Sequence, residues 1–330
     1  FRFYLNDELI ASGPANIGSD YEDSLPPQHW FYSSFSVEKY VQPGKNQIAV
    51  EVFSRNFVLS ETTSGQGRFV CDLEFDGAPP AVYTDASWLA HPDTSFDKQG
   101  GWLNFDAQKE PVGWKELGFD DSAWEAVSVQ SPIDTDYLLP SEIPNPMRHS
   151  MQPDAVLILS NGVTTELSAN NFAATIFNND ELVLDYTRNK TASVKFSVDA
   201  NAGDVVLVSP HEKLDHDPNR PFKFICKNGT NDFETPFLCS FRSLKVKVNS
   251  ENGLKINSVQ ANFSSYPVHY AGEFACSDSF FTQLWDVTRW TTQNCMNDMF
   301  YDSPKHQEPI ACTGDYLIES LINYYAFGDP

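Results

Sequence analysis

Three carboxylates, Asp302, Glu308 and Asp315, stand close together near the C-terminal end of the sequence, in the run Tyr301-Asp-Ser-Pro-Lys-His-Gln-Glu308-Pro-Ile-Ala-Cys-Thr-Gly-Asp315. Crowded carboxylates raise one another's pKa, and a carboxyl kept protonated near neutral pH is what a general acid requires. The count itself is no signal: with 45 acidic residues in 330, a window of this length holds about two by composition alone. The arrangement says more. Pro304 and Pro309 stiffen the run, Gly314 permits a tight backbone, and Asp315 stands where a helix begins, so the helix dipole favours its charge. The plain alternative is two helix caps plus a solvated glutamate. Taken alone, these residues support both readings equally.

Two segments flank the run and must position it. After Gly272, Ser277 or Asp278 reads as the cap of a helix. Phe280, Phe281, Leu284, Trp285 and Thr288 follow at helical spacing, and the helix is expected to run to about Met299. Beyond the run, Leu317, Ile318, Leu321, Ile322 and Tyr325 form a second helical stripe, with Asp315 placed to cap it. Two helices joined by a loop make one hairpin, and a single hairpin cannot close a core. The expectation is therefore that the chain stops inside a domain. It opens on Phe1-Arg-Phe-Tyr-Leu, already strand-like and without an initiator Met, which carries the same expectation for its beginning.

Everything before Gly272 reads as β-structure. Residues 1–135 form a first all-β region. The turn Pro43-Gly44-Lys45-Asn46 leads into Ile48, Val50 and Val52, whose alternation with Gln47, Ala49 and Glu51 predicts a strand with one buried face. Phe69–Phe75 reads as another strand. Strands at this spacing indicate a sandwich or jelly roll. Trp88, Trp102, Trp114 and Trp124 concentrate in one stretch. Such rings either fill a core or offer flat platforms for sugars, and core filling is the favoured reading. Residues 136–155, with Pro140, Pro144 and Pro146, read as a linker. A second β-region spans 156–271. In it Val194, Phe196 and Val198 alternate with polar residues, as do Leu244, Val246 and Val248. Asn252-Gly253 there signals a hairpin turn. Residues 272–330 hold the helices.

Composition narrows the class. A formal charge of −23 with no basic stripe argues against nucleic-acid binding. No apolar run approaches the roughly 18 residues of a membrane span. The six cysteines, 71, 226, 239, 276, 295 and 312, show no zinc spacing. A Cys226–Cys239 disulfide and buried free thiols both remain open. His211, Glu212, Asp215, His216 and Asp217 crowd together between Pro210 and Pro218, and read as a solvated loop rather than a cation site. No metal or cofactor is expected. Sequons at Asn189, Asn228 and Asn262 are about what chance supplies.

The carboxylate run resembles the active-site loop of the inverting bacterial α-L-rhamnosidases, which reads roughly D-C/S-P-x-R-E-x-x-x-W-x-G-D. Upstream stretches resemble the same family in the same order: Asn6-Asp-Glu-Leu-Ile-Ala-Ser-Gly13-Pro14, Val41-Gln-Pro-Gly-Lys-Asn46, Thr84-Asp85-Ala-Ser-Trp88, Gly113-Trp through Trp124, and Gly272-Glu-Phe-Ala-Cys-Ser-Asp278. The resemblance implies a multidomain fold: two all-β sandwich or jelly-roll domains, then the start of an (α/α)6 barrel of six helical hairpins. It implies hydrolysis of terminal α-L-rhamnose from an oligosaccharide, polysaccharide or glycoside, with Glu308 as general acid and Asp302 and Asp315 holding sugar hydroxyls and tuning that acid. The family's general base is a glutamate much later in the barrel, expected beyond Pro330. An extracellular or periplasmic site follows from the resemblance alone. The loop departs from the pattern by one extra residue between Asp302 and Glu308. His306-Gln307 replaces the usual Arg, and Cys312 replaces the Trp. The Glu308-to-Asp315 spacing is kept. The competing class is a non-catalytic carbohydrate-binding β-sandwich protein.

Overall fold

A computed structural model describes residues 1–13, 30–53, 69–75, 82–99, 102–129, 138–169, 172–213, 221–297, 300–305 and 313–328. It divides into two units, residues 1–92 with 111–143, and residues 93–110 with 144–330. Among the described residues no helix is long and apolar enough to cross a membrane.

In the smaller unit the strands Glu8–Ser12, Arg2–Leu5 and Ile48–Glu51 form an antiparallel sheet in that order. The buried face of Ile48–Glu51 is not the expected one. Ala49 is buried, while Ile48 and Val50 are half-buried and Val52 is exposed. Tyr4 pairs with Ala49 and is itself buried, so a small residue on one strand faces a large ring on the next. Of the Phe69–Phe75 run, only Asp72–Leu73 is strand. Trp88, Trp114 and Trp124 are neither buried nor free. Trp88 Nε1 donates to Tyr83 O (3.1 Å), Trp114 meets Tyr4 edge-on at 5.8 Å, and Trp124 stacks on His91 at 5.5 Å. Their apolar bodies pack locally and their rims stay wet, as large amphipathic rings commonly do. Pro14 lies outside the described residues, as does the side chain of Trp102.

The larger unit is built around one strand, Asp180–Ala200, which carries the Val194–Val198 alternation together with an earlier apolar run at Leu182–Leu184. Thr187 adopts φ 58° inside it, and its register with Cys239–Asn249 shifts between Asp185 and Lys190. The strand therefore bends. Its first half pairs with Ala155–Ser160 and Cys239–Asn249, and its second with Gly229–Glu234 and Leu254–Ser265. Leu182, Leu184, Val194, Val198, Leu244, Val246 and Ile256 are wholly buried. Phe105, Phe196, Phe224 and Phe233 close the core with ring centroids 4.7–5.7 Å apart.

Two turn expectations change. Asn252-Gly253 does make a tight turn, with Gly253 at φ 73°, but it joins no hairpin. The strands it links lie on either side of Asp180–Ala200, which separates them in the sheet. A Cβ at Gly253 would meet the Phe177 ring at 2.7 Å, so glycine is needed for space as well as for φ. His211 does not belong to a solvated loop. It ends the strand Val205–His211, opposite Ser243, and is buried. Asp215, His216, Asp217 and Pro218 lie outside the described residues. Cys226 and Cys239 are free thiols, which settles the disulfide alternative. Among the described residues no group of His, Cys, Asp and Glu could hold a metal ion.

Two helices follow: α1, Ser279–Asn294, and α2, Thr313–Ala326. Asp278 caps α1 as expected, accepting from Phe280 N at 2.9 Å. The helix stops at Asn294 rather than near Met299. There Cys295 N bonds the carbonyls of Thr291 and Thr292 together, Met296 O accepts from Tyr266 N (2.8 Å), and Met296 bridges to Phe300.

Candidate active site

The C-terminal end of α1 is bolted to the bent strand. Thr191 N donates to Asn294 Oδ1 (2.7 Å), and Thr191 Oγ1 donates to Asn294 O (2.9 Å). Trp290 Nε1 donates to Asn189 O (2.6 Å), and its ring stacks on Phe263 at 5.2 Å. Gln293 reaches Ser265 Oγ (3.1 Å) and accepts from Tyr270 OH (2.6 Å). The helix therefore buries polar residues, Thr292, Gln293 and Asn294, because its neighbours are sheet backbone and hydroxyls. Its apolar residues Phe280, Phe281, Leu284 and Val287 are exposed.

From this anchored end the chain turns directly into the carboxylate run. Tyr301 N donates to Cys295 O at 2.7 Å, which holds Asp302 beside the end of α1. Phe300 lies 5.9 Å from the ring of Tyr316, so the same turn also touches α2. Lys305 reaches across to Glu212 at 3.9 Å. Glu212 in turn accepts from Ser240 Oγ (3.0 Å) and Asn189 Nδ2 (3.3 Å). The start of the run is thus held at the end of α1 and, through Lys305, beside the sheet.

Asp315 lies in the first turn of α2 and is exposed. It is the third residue of the helix, not the capping residue itself, and the dipole argument for its charge holds there too. Glu308 lies outside the described residues, as do Pro309, Cys312 and the His306-Gln307 pair. Of the three predicted site residues, Asp302 and Asp315 both act on one further group, Glu319.

Glu319 is the residue that sequence reasoning missed. It sits one helical turn after Asp315, so the two share a face of α2. Burial pushes its carboxyl up to about 7, with the charge of Asp315 adding to the rise, a hydrogen bond from Cys295 partly opposing it, and Asp302 adding a smaller rise. Cys295 is buried, and its thiol is pushed up to about 12 by that burial and by the charges of Glu319 and Asp302. The thiol therefore keeps its proton and donates it towards Glu319. The signal available in sequence was the D-x-x-x-E spacing on a helix, overshadowed by the apolar stripe around it. That stripe is not a core face here: Leu317, Ile318, Leu321 and Tyr325 are exposed, and Asn323 and Ala326 are buried. A carboxyl near neutral pKa beside two aspartates is suited to holding or passing a proton.

Fold and site define a class: β-domains followed by the first helices of a helical barrel, with a carboxylate cluster between the first two helices. Known proteins give the family. Residues 269–329 match the bacterial alpha-L-rhamnosidase six-hairpin glycosidase domain, and residues 27–150 match the alpha-L-rhamnosidase N-terminal domain. An alpha-L-rhamnosidase of Formosa agariphila is 21% identical over 98% of this chain and 35% of its own length. One of Streptomyces avermitilis is 27% identical over 56% of this chain and 17% of its own length. The crystal structure of a GH78-family rhamnosidase from Bacillus sp. GL1 superposes with a TM-score of 0.78 at 16% identity, covering 99% of this chain and 57% of that one. The chain belongs to the bacterial alpha-L-rhamnosidase family, and it spans about a third or less of the two curated relatives named here.

Proposed function

We propose that the protein is a glycoside hydrolase that releases terminal α-L-rhamnose from rhamnose-bearing oligosaccharides, polysaccharides or glycosides, with inversion at the anomeric carbon. The observation that carries the reading is the convergence of Asp302 and Asp315 on one carboxyl group at the joint between the first two barrel helices, within a chain of rhamnosidase domain order. Relatives named as rhamnosidases supply the substrate class.

In this reading Glu308 donates its proton to the glycosidic oxygen as the C1–O bond breaks. Water attacks C1 from the opposite face and gives its proton to a carboxylate base. Inversion sets those two carboxyls roughly 6.5–9.5 Å apart, with room for the water. We assign that base to no residue of 1–330, in keeping with its late position in the family. Asp302 and Asp315 accept hydrogen bonds from the sugar hydroxyls, which strengthen as positive charge grows on the ring.

The test is hydrolysis of an aryl α-L-rhamnoside by the protein at the length of its relatives, with the first-formed anomer followed by proton NMR. Glu308→Gln is expected to lower kcat by about 10²–10⁴-fold, the usual contribution of a general acid. Unchanged turnover in that variant removes Glu308 from the acid role. A first product with the anomeric configuration retained removes the inverting route.

A further inference from the structure

We propose that Glu319 is a positioning residue of the carboxylate site: its buried carboxyl, set between Asp315, Cys295 and the Asp302 segment, keeps both aspartates where they meet the sugar. The proposal rests on the rhamnoside reading above.

Three structural elements converge on Glu319. Asp315 faces it from one turn earlier on α2, Cys295 from the end of α1, and Asp302 from the segment tied to Cys295 O by Tyr301 N at 2.7 Å. Among the described residues no cation contributes to its field. Lys305, near in sequence to Asp302, pairs with Glu212 instead. Glu319 Oε2 has no contact with solvent and no hydrogen-bond partner among the described residues. As a bare carboxylate oxygen it would be costly there, since a buried charged acceptor without a donor loses its hydration for nothing. As part of a neutral carboxyl it is cheaper, and the O–H becomes a donor in a cluster otherwise rich in acceptors. The Cys295 thiol, held protonated, supplies the other donor.

The consequence is a dependence on pH with a definite sign. An ordinary glutamate loses its proton near 4.5, and Glu319 loses it at about 7. Between those values the folded protein holds a proton that the unfolded chain has given up. The stability this contributes is full below about 4.5 and lost as pH rises through 7. Above that, three negative charges share the joint between the helices. Repulsion then drives Asp302 and Asp315 from their places, and sugar binding weakens before the chemistry does.

Glu319→Gln keeps the shape and a donor and cannot ionise. Two measurements decide the matter. The first needs no activity: thermal unfolding of the chain at pH 5 and pH 8. The expected result is a Tm for Glu319→Gln that exceeds the wild type by a few degrees more at pH 8 than at pH 5. An equal difference at both values overturns the proton assignment. The second is the pH profile of KM and kcat on an aryl α-L-rhamnoside. The wild-type KM is expected to rise above about pH 7 while kcat changes less. Glu319→Gln moves that limb up by about one unit or more, whereas Glu319→Asp retains it. A limb unmoved in Glu319→Gln, or an equal loss at every pH, overturns the positioning role. A wild type that hydrolyses no rhamnoside at any pH overturns the function reading, and the positioning role with it. The Tm comparison would still decide where the proton resides.

Discussion

Asp302 and Asp315 share a charge and differ in how they are held. Asp302 is half-buried on a segment pinned to the end of α1, whereas Asp315 is exposed in a helix's first turn. Both are expected to contribute through charged hydrogen bonds to the sugar, so Asp302→Asn and Asp315→Asn should each lower kcat/KM by roughly 10–100-fold, measured on an aryl α-L-rhamnoside. Gly272 works at the same scale without touching chemistry. Its N–H donates to Ala326 O at 3.0 Å, and an added Cβ would lie 1.8 Å from Tyr325 O. The contact is with backbone, which cannot swing aside. Gly272→Ala is therefore expected to cost about 1–3 kcal/mol in urea unfolding, the range for overpacking. A neutral result would mean that the entry to α1 and the end of α2 can separate at little cost.

At the scale of elements, the question is what holds α1 against the sheet. Its apolar residues do little of this, because most are exposed. Asn294 does more, since it satisfies both the N–H and the hydroxyl of buried Thr191 and also donates to Trp290 O (2.7 Å). Asn294→Ala leaves the Thr191 N–H buried without a partner, and should destabilise the protein by about 1–3 kcal/mol in a denaturant titration. The Glu212–Lys305 pair is a different case. At 3.9 Å, with Lys305 half exposed, it is worth at most about 1 kcal/mol. Its removal by Lys305→Ala should barely move the unfolding midpoint, so any loss of activity in that variant would report on the geometry of the carboxylate run rather than on stability.

Across the molecule, polarity is inverted at the helices. The larger unit's sheet core is apolar and closed, while Phe280, Phe281, Leu284, Val287, Leu317, Ile318, Leu321 and Tyr325 expose large apolar side chains. Exposed apolar side chains in this number favour association where they form one patch. Chain 1–330 alone is expected to associate with rising concentration in sedimentation experiments, and Leu284→Ser with Ile318→Ser should reduce that association. A chain that stays monomeric to high concentration would show that these side chains do not act as one patch. Local pattern was enough to read the β-regions, the Asp278 cap, the helices flanking the carboxylates and the spacing of Glu308 and Asp315, because alternation, capping and spacing are properties of neighbouring residues. What lies opposite each face was decided by the tertiary structure. Ala49 replaces Ile48 and Val50 as the buried position because Tyr4 stands across from it. Asn252-Gly253 spans an intervening strand because Asp180–Ala200 bends through both halves of the sheet. Thr191 meets Asn294 across 103 positions, and burial, with the charges of Asp315 and Asp302 adding to it, pushes the Glu319 carboxyl above the ordinary glutamate range. Periodicity along a chain reports the chemistry of a face, whereas its neighbour is set by long-range packing.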